Sequence, residues 1–170
     1  MKFSSFETLV RALDTAGVRY LIAGGLAVNA YGYLRFTKDV DVVVHLVPEN
    51  IERAFAALNS LGYRPMVPIT AEQFSDAAQR ERWIHDKGMK VLQFWSDAHR
   101  ETPVDVFVIE LFDFNEEIDK SLSKILGDTA VHFVSIPTLI RMKEIAGRTQ
   151  DKLDIHELHM LYPDDARRQT

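Results

Sequence analysis

Hydrophobic residues along this chain occur in two patterns, helical spacing and continuous runs, which alternate from the amino terminus onwards. A first helix is predicted by apolar residues at helical spacing, with Ser4-Ser5-Phe6-Glu7 as its capping box and Gly17 as its stop. Residues 18–23 then form a continuous apolar run, which predicts a buried strand that ends at Gly24-Gly25. The residues on the apolar face of the helix are Phe6, Leu9, Val10 and Leu13.

The same patterns predict the remaining elements and, with them, the fold class. Apolar runs predict strands at 40–47, 91–95, 104–108 and 131–134, and residues 82–85 as a further strand of the same meander. Helices are predicted at 26–33, 52–61, 71–80, 116–125, from Pro137 onwards and at 151–161. We therefore expect an α/β (α+β) fold, a mixed β-sheet flanked by helices with a helical carboxyl end. One domain is predicted over residues 1–170, with an α/β core at 1–135 and carboxyl-terminal helices at 136–170.

Composition and charge narrow the classes of protein. The chain has 46% hydrophobic and 26% charged residues, an ordinary globular mixture, and it has no cysteine, so any metal must use oxygen or histidine ligands. No apolar stretch reaches the roughly 20 residues of a membrane helix, and an acidic residue interrupts the amino-terminal segment, so we expect a cytoplasmic protein without a membrane partner. A net charge of −5 argues against broad binding of duplex DNA.

Three aspartates are the candidate chemical centre. Asp39 and Asp41 stand two residues apart at the head of an apolar run, so on a strand they would share one face. Neighbouring carboxylates repel each other unless a cation lies between them, so the pair is a candidate metal site. A simpler interpretation is that one aspartate caps a turn and the other is a solvated residue at the end of the strand. Asp105 lies within the run 104–108. If the two strands are neighbours, three carboxylates form a ligand set for Mg²⁺ or Mn²⁺.

Gly24-Gly25 is the candidate phosphate-binding element. Glycine lets backbone N–H groups approach a phosphate closely, and the helix that follows presents its amino terminus there. A tight turn between strand and helix is the simpler interpretation of the pair taken alone. Between this turn and the acids, Arg35 and Thr37 alternate with other residues, so they could share one face with Asp39 and Asp41.

Taken in order, these motifs resemble those of the DNA polymerase β-like nucleotidyltransferase superfamily. The shared elements are Gly24-Gly25, then Arg35-x-Thr37-x-Asp39-x-Asp41, then Asp105. The helical segment that carries Lys143, Arg148, Lys152 and Asp154 resembles the AbiEii type, the abortive-infection toxins of the small prokaryotic branch. The resemblance covers residues 15–47, 103–108 and 137–158.

The resemblance implies a nucleotidyltransferase fold and an enzyme that transfers NMP from an NTP to a hydroxyl with release of pyrophosphate. It implies that Asp39, Asp41 and Asp105 are catalytic and hold Mg²⁺ or Mn²⁺, with Asp105 nearest the acceptor hydroxyl. Nucleotide contacts are implied for the glycine pair and for polar or basic residues: Gly24, Gly25, Arg35, Thr37, Lys143, Arg148 and Lys152. The acceptor could be tRNA or another RNA, a protein or a small molecule, and a toxin–antitoxin pair would add a cognate antitoxin as partner.

Several of these features are also compatible with a protein that has no catalytic activity. The fold could belong to an inactive module that binds a nucleotide or a partner, or to a structural domain with a metal-free acidic cluster. Lys143, Arg148 and Lys152 could form a solvated helix face, with Asp154 fixing a basic neighbour. Lys38 is predicted to point away from the acids and to be structural. Aromatic residues at strand spacing are predicted to be core: Trp83, Phe94, Trp95 and Phe107.

Overall fold

The strands of the computed structural model form one seven-stranded mixed sheet, and the structure describes residues 1–166. The strands are β1 (Tyr20–Ile22), β2 (Val40–Val44), β3 (Arg64–Pro65), β4 (Val91–Trp95), β5 (Val104–Phe107), β6 (Leu122–Leu126) and β7 (Thr129–Phe133). The helices are α1 (Phe3–Thr15), α2 (Gly24–Ala30), α3 (Pro48–Ser60), α4 (Ala71–Ser75), α5 (Ala77–Lys87), α6 (Phe114–Lys120), α7 (Ile136–Ala146), α8 (Thr149–Leu161) and α9 (Pro163–Ala166). This arrangement confirms the predicted α/β fold, and residues 167–170 of the predicted helical end lie outside the described residues.

The sheet order is β3-β4-β5-β2-β1-β7-β6. Strands β2 and β5 run parallel beside each other, whereas β1 lies antiparallel to β2 on its other side. Strands β1 and β2 are almost entirely buried, and side chains such as Leu21, Ile22 and Val40 are fully buried, whereas β5 alternates buried and partly covered residues. No helix within residues 1–166 is long and apolar enough to cross a membrane.

The first helix confirms its predicted apolar face but begins earlier than predicted. Phe6, Leu9, Val10 and Leu13 are all buried, and Gly17 follows the helix with a φ of 64°. The capping box is wrong, because the N-cap residue is Lys2 and no side chain caps this end. The backbone N–H of Lys2 donates instead to the hydroxyl of Thr102, at 3.0 Å, which ties the helix start to a distant loop.

Residues 82–85 do not form the predicted strand, since they lie inside α5. Asp76 starts this helix by accepting hydrogen bonds from the backbone of Ala78 and Gln79, at 2.9 and 3.3 Å. Gly88 ends it in the left-handed conformation. The short strand-like pattern of Arg82-Trp83-Ile84-His85 is thus outweighed by the residues that start and stop the helix, Asp76 and Gly88.

The predicted helix at 116–125 is also wrong in its second half. Helix α6 stops at Lys120, and residues 122–126 pair with β7 as an antiparallel hairpin that turns at Gly127, which has a φ of 62°. Strand β6 lies at the edge of the sheet and its central residues are exposed. An exposed edge strand lacks the apolar run by which buried strands are recognised, which explains why the pattern missed it.

Candidate active site

Asp41 and Asp105 lie directly beside each other on neighbouring strands. In the parallel pairing of β2 with β5, Asp41 is the register partner of Asp105. The apolar residues before and after each acid are buried and hold the two strands in this register. The predicted adjacency of the two strands is therefore confirmed, and Asp39 lies one residue before β2 begins rather than within it.

Burial and neighbouring charges both act on the acids of the cluster. Burial, followed by the neighbouring charges of Asp39 and Asp105, raises the pKa of Asp41 to about 7. Burial and Asp39 also raise the pKa of Asp105, although a 3.0 Å hydrogen bond from the Gln93 amide to its Oδ1 opposes this shift. The cluster thus holds less negative charge in the metal-free protein than three solvated aspartates would, and a cation bound there would relieve the repulsion.

The glycine pair lies directly against the acids. Gly24 has a φ of 59°, and a Cβ atom placed on it would come 1.8 Å from Oδ2 of Asp41. A Cβ atom on Gly25 would lie 2.7 Å from the Thr37 hydroxyl and 3.0 Å from the Arg35 guanidinium. Helix α2 begins at this pair, so its first backbone N–H groups have no acceptor within the helix and lie beside Asp41. Only glycine fits such a close approach, which gives both positions a definite steric requirement.

A buried ion network joins the end of the chain to the loop before β2. Asp154, which is fully buried, accepts from the Lys143 ammonium at 2.6 Å and lies 2.8 Å from the Arg35 guanidinium. Asp151 lies 3.4 Å from Lys143 and 2.8 Å from Nε of Arg148. As expected from the sequence, Asp154 positions basic neighbours, and it does so for two of them at once.

This ion network determines which of the predicted basic site residues are already paired and which remain accessible beside the acids. Arg35 and Lys143 pair with buried carboxylates, so neither is a free cation at the glycine turn. Arg148 keeps an exposed side chain although it pairs with Asp151, and its charge acts on all three acids of the cluster. Lys152 is exposed and does not line either cavity beside the acids.

Two cavities flank Asp41, and Asp41, Arg148 and Asp151 line both of them. The first, which we call the polar cavity, measures about 300 Å³ and is lined mainly by Gly25, Arg35, Thr37, Lys38, Asp39 and Gln150. The second, which we call the apolar cavity, measures about 370 Å³ and contains Asp105, with Val91, Phe107, Leu139, Met142 and Ala146 as apolar lining and Lys90 beside them. A wider depression of about 540 Å³ between α1 and α3 contains no acidic residue.

Lys38 and Lys90 are the residues that sequence reasoning missed. Each is exposed, each lines one cavity, and within residues 1–166 neither makes an ion pair or a side-chain hydrogen bond. Lys38 was expected on the far side from the acids, but the loop has left the strand geometry there and places it in the wall of the polar cavity. A lone lysine carries no sequence signal, so only the fold could identify these two.

The donor set fits a hard divalent cation by its chemistry. The polar cavity contains Asp39 and the Thr37 hydroxyl, whose Oγ1 lies 3.4 Å from Oδ1 of Asp39, and Asp41 and Asp105 complete a set of oxygen donors. Across the described part of the chain, however, no three acidic or histidine side chains already stand in an arrangement that could hold a metal ion. Metal binding here would require these carboxylates to move together.

Comparison with solved structures identifies the fold. The chain superimposes on the antibiotic-resistance factor ANT(2'')-Ia with a TM-score of 0.61 and 13% identity, covering 97% of this chain and 89% of that one. It matches the lincomycin-bound lincosamide adenylyltransferase LnuA with a TM-score of 0.57 and 14% identity, over 87% and 90% of the two chains. An antigenic nucleotidyltransferase-like protein of Paracoccidioides brasiliensis gives a TM-score of 0.58 and 17% identity, over 95% and 75%.

These likenesses establish that the chain has the nucleotidyltransferase fold. No protein-family model matches the sequence, and no curated protein matches it in sequence.

Proposed function

We propose that this protein is a Mg²⁺- or Mn²⁺-dependent nucleotidyltransferase that moves NMP from an NTP to a hydroxyl acceptor. The observation that carries the proposal is the placement of Asp41 beside Asp105 on parallel strands, against the turn at Gly24-Gly25. Hard carboxylate ligands beside the N–H groups that begin a helix are suited to phosphoryl and nucleotidyl transfer. The fold shared with antibiotic nucleotidyltransferases supports it.

Each candidate residue has a distinct role in the proposed reaction. Asp39, Asp41 and Asp105 would hold the divalent cation, which supplies charge neutralisation for the triphosphate. Backbone N–H groups at Gly24 and Gly25, with Thr37 and the exposed Lys38, would bind phosphate oxygens. Gly25, Thr37 and Lys38 line the polar cavity, whereas Gly24 lines the apolar cavity beside Asp41. Asp105, which lines the apolar cavity, would accept the proton of the acceptor hydroxyl, as the resemblance implies.

The basic residues divide into binding and positioning roles. Arg148 faces the acids from α8 and retains an exposed side chain, so it would contact the nucleotide. Arg35 and Lys143 would act mainly by fixing the loop and α7 through Asp154, although Arg35 borders the polar cavity as well. For Lys152 we propose at most a peripheral contact with the nucleotide, because it lies outside both cavities.

The decisive experiment incubates the protein with each labelled NTP, Mg²⁺ or Mn²⁺, and a cell extract that has been divided into RNA, protein and small-molecule fractions. We expect pyrophosphate release together with transfer of label into one fraction. The Asp39→Ala/Asp41→Ala double variant should lose both signals. Equal labelling by this variant would show that the proposed site is wrong.

One observation favours a second candidate, a binding module without turnover. Two of the basic side chains near the acids, Arg35 and Lys143, are occupied by Asp154 rather than available to a triphosphate. Such a module would bind NTP in calorimetry but release no pyrophosphate in a parallel assay. The presence of all three acids and both glycines supports the enzyme instead.

The resemblance to the AbiEii type adds a biological role to the proposal, that of a cytoplasmic toxin restrained by a cognate antitoxin. Expression of the protein alone should then slow growth, and Asp41→Ala should restore it. If the variant protein slows growth as much as the original, the toxin role is wrong, whereas the transferase activity would stand or fall by the labelling experiment.

A further inference from the structure

The apolar cavity is distinct in its chemistry from the polar cavity on the other side of Asp41. Leu139 and Met142 are buried in its floor, while Val91, Phe107 and Ala146 are only partly covered by protein. Partly covered apolar side chains around a cavity of about 370 Å³ are typical of sites for small molecules, which are mostly apolar with a few polar groups. Asp105 is the acid that this cavity contains and the polar cavity lacks.

The geometry of transfer decides which substrate each cavity would take. In nucleotidyl transfer the attacking and leaving oxygens stand roughly in line on opposite sides of the phosphorus. Three of the four phosphate-binding groups, at Gly25, Thr37 and Lys38, line the polar cavity, and Gly24 stands beside Asp41 on the apolar side, so we assign the leaving pyrophosphate to the polar side. The acceptor hydroxyl must therefore approach from the opposite side, which is the apolar cavity.

We infer, resting on the proposed function, that the apolar cavity is the acceptor site and that it takes a small hydroxyl compound with an apolar face and no cationic charge. The acceptor oxygen forms its bond to the α-phosphorus, the bond from that phosphorus to the bridging oxygen breaks, pyrophosphate leaves with the electron pair, and the hydroxyl proton passes to Asp105. The apolar lining contacts the ring or chain of the acceptor.

Charge at the cavity selects against a polycation. Lys90 stands at the cavity with no ion-pair partner among residues 1–166, whereas the two other lining cations, Lys143 and Arg148, pair with Asp151. The acids present, Asp41 and Asp105, would be neutralised by the divalent cation, and Asp151 is already paired with Lys143 and Arg148. The solved complex of ANT(2'')-Ia contains adenylyl-2''-tobramycin, an adenylylated aminoglycoside. A polycation such as tobramycin would meet uncompensated positive charge in the apolar cavity of this protein.

The test begins by asking which molecules accept the label. The full-length protein is incubated with labelled NTP, Mg²⁺ and, separately, a small-molecule extract, total RNA, total protein or tobramycin. We expect pyrophosphate release and labelling with the small-molecule extract, in a product that binds a reversed-phase column and does not bind a cation exchanger. Labelling of RNA, protein, tobramycin or another cationic product would overturn this inference and leave the transferase intact. Pyrophosphate release without transfer of label to any of these acceptors would overturn both this inference and the proposed transferase activity.

Two variants then locate the acceptor with the labelled product as readout. Ala146→Phe fills the apolar cavity from a partly exposed position, so it should raise the apparent KM for the purified acceptor about tenfold or more while magnesium–NTP still raises the melting temperature. Lys90→Glu removes the cation that selects against polycations, so it should permit labelling of tobramycin, whereas Lys87→Glu, an exposed site outside both cavities, makes the same change in charge and should not. Unaltered acceptor KM in Ala146→Phe would show that the acceptor binds elsewhere.

Discussion

At the scale of single residues, the acidic cluster combines a stability cost with a chemical use. The sheet register holds Asp41 beside Asp105, and Asp39 lies two residues before it in the chain. Burial, followed by the charges of these two acids, raises the pKa of Asp41 to about 7. A fold gains nothing from such a contact unless a ligand compensates it. Strained electrostatics of this kind are concentrated at functional sites.

Asp41→Asn should stabilise the metal-free protein. A carboxyl whose pKa is raised on folding contributes stability below its unfolded pKa, near 3.8, and loses it as the pH rises through about 7. The variant does not lose this stability. Its free energy of unfolding should therefore exceed that of the original protein by an amount that grows from pH 5 to pH 8 and reaches about 1–3 kcal/mol. Thermal unfolding in EDTA at several pH values measures it.

Asp128→Asn is the matched control, since that side chain is 85% exposed and, within residues 1–166, its one ion pair is a 3.8 Å contact with Arg11. It should change stability by less than about 0.5 kcal/mol at every pH. Parallel pH curves for Asp41→Asn and the original protein would contradict the electrostatic account.

Lys38 offers a second prediction at this scale. Because it lines the polar cavity without an ion-pair partner in residues 1–166, Lys38→Ala should raise the KM for NTP about three- to tenfold and leave the melting temperature within about 1 °C. Lys124→Ala, an exposed lysine in the edge strand β6, removes the same charge far along the sheet and should leave KM unchanged. Steady-state pyrophosphate release at varied NTP compares the two, and equal KM values would remove Lys38 from the site.

At the scale of elements, the ion network explains how helices α7 and α8 are held against the loop before β2. Lys143 comes from α7, Asp154 and Asp151 come from α8, and Arg35 comes from the loop. Since Asp154 is completely buried, its two cationic partners compensate its lost hydration. The network thereby fixes the loop that carries Thr37 and leads into Asp39.

Asp154→Ala should therefore destabilise the protein by about 3–5 kcal/mol, because it leaves the buried Lys143 and Arg35 without their common partner. Asp97→Ala is the control, since Asp97 makes a 3.0 Å pair with Arg100 on the exposed surface and should cost less than about 1 kcal/mol. Urea unfolding measures both values. A cost for Asp154→Ala no larger than that of the control would show that the network contributes little.

At the scale of the whole molecule, the proposed nucleotide site joins the sheet, the glycine turn and the carboxyl-terminal helices. All three supply walls to the cavities around Asp41. A ligand that binds only the folded state stabilises every element that contributes to the site. Global unfolding is therefore a suitable measure of binding even before the acceptor is known.

Magnesium with NTP at about 100 times its dissociation constant should add about 2.7 kcal/mol of stability. For a chain of 170 residues this corresponds to a rise of about 5–10 °C in the melting temperature. Differential scanning fluorimetry detects such a shift, and NTP with EDTA should lose most of it. A melting temperature that responds to neither metal nor NTP would indicate a purely structural domain.

The sequence by itself determined the elements with strong local signals. Buried strands such as β2 and β5 were recognisable as apolar runs, and α1 by its helical spacing, because burial demands apolar side chains at the period of the backbone. Asp39, Asp41, Asp105 and the glycine pair were identified as one candidate site because their order along the chain resembled that of a known superfamily.

Only the tertiary structure decided which groups meet. It placed Asp105 in register with Asp41, turned Arg35 and Lys143 towards Asp154, and put Lys38 and Lys90 beside separate cavities. It also converted residues 82–85 into helix and residues 122–126 into an edge strand. Local patterns record whether a residue is buried, whereas ion pairing and cavity walls depend on contacts between residues as much as 119 positions apart, such as Arg35 and Asp154.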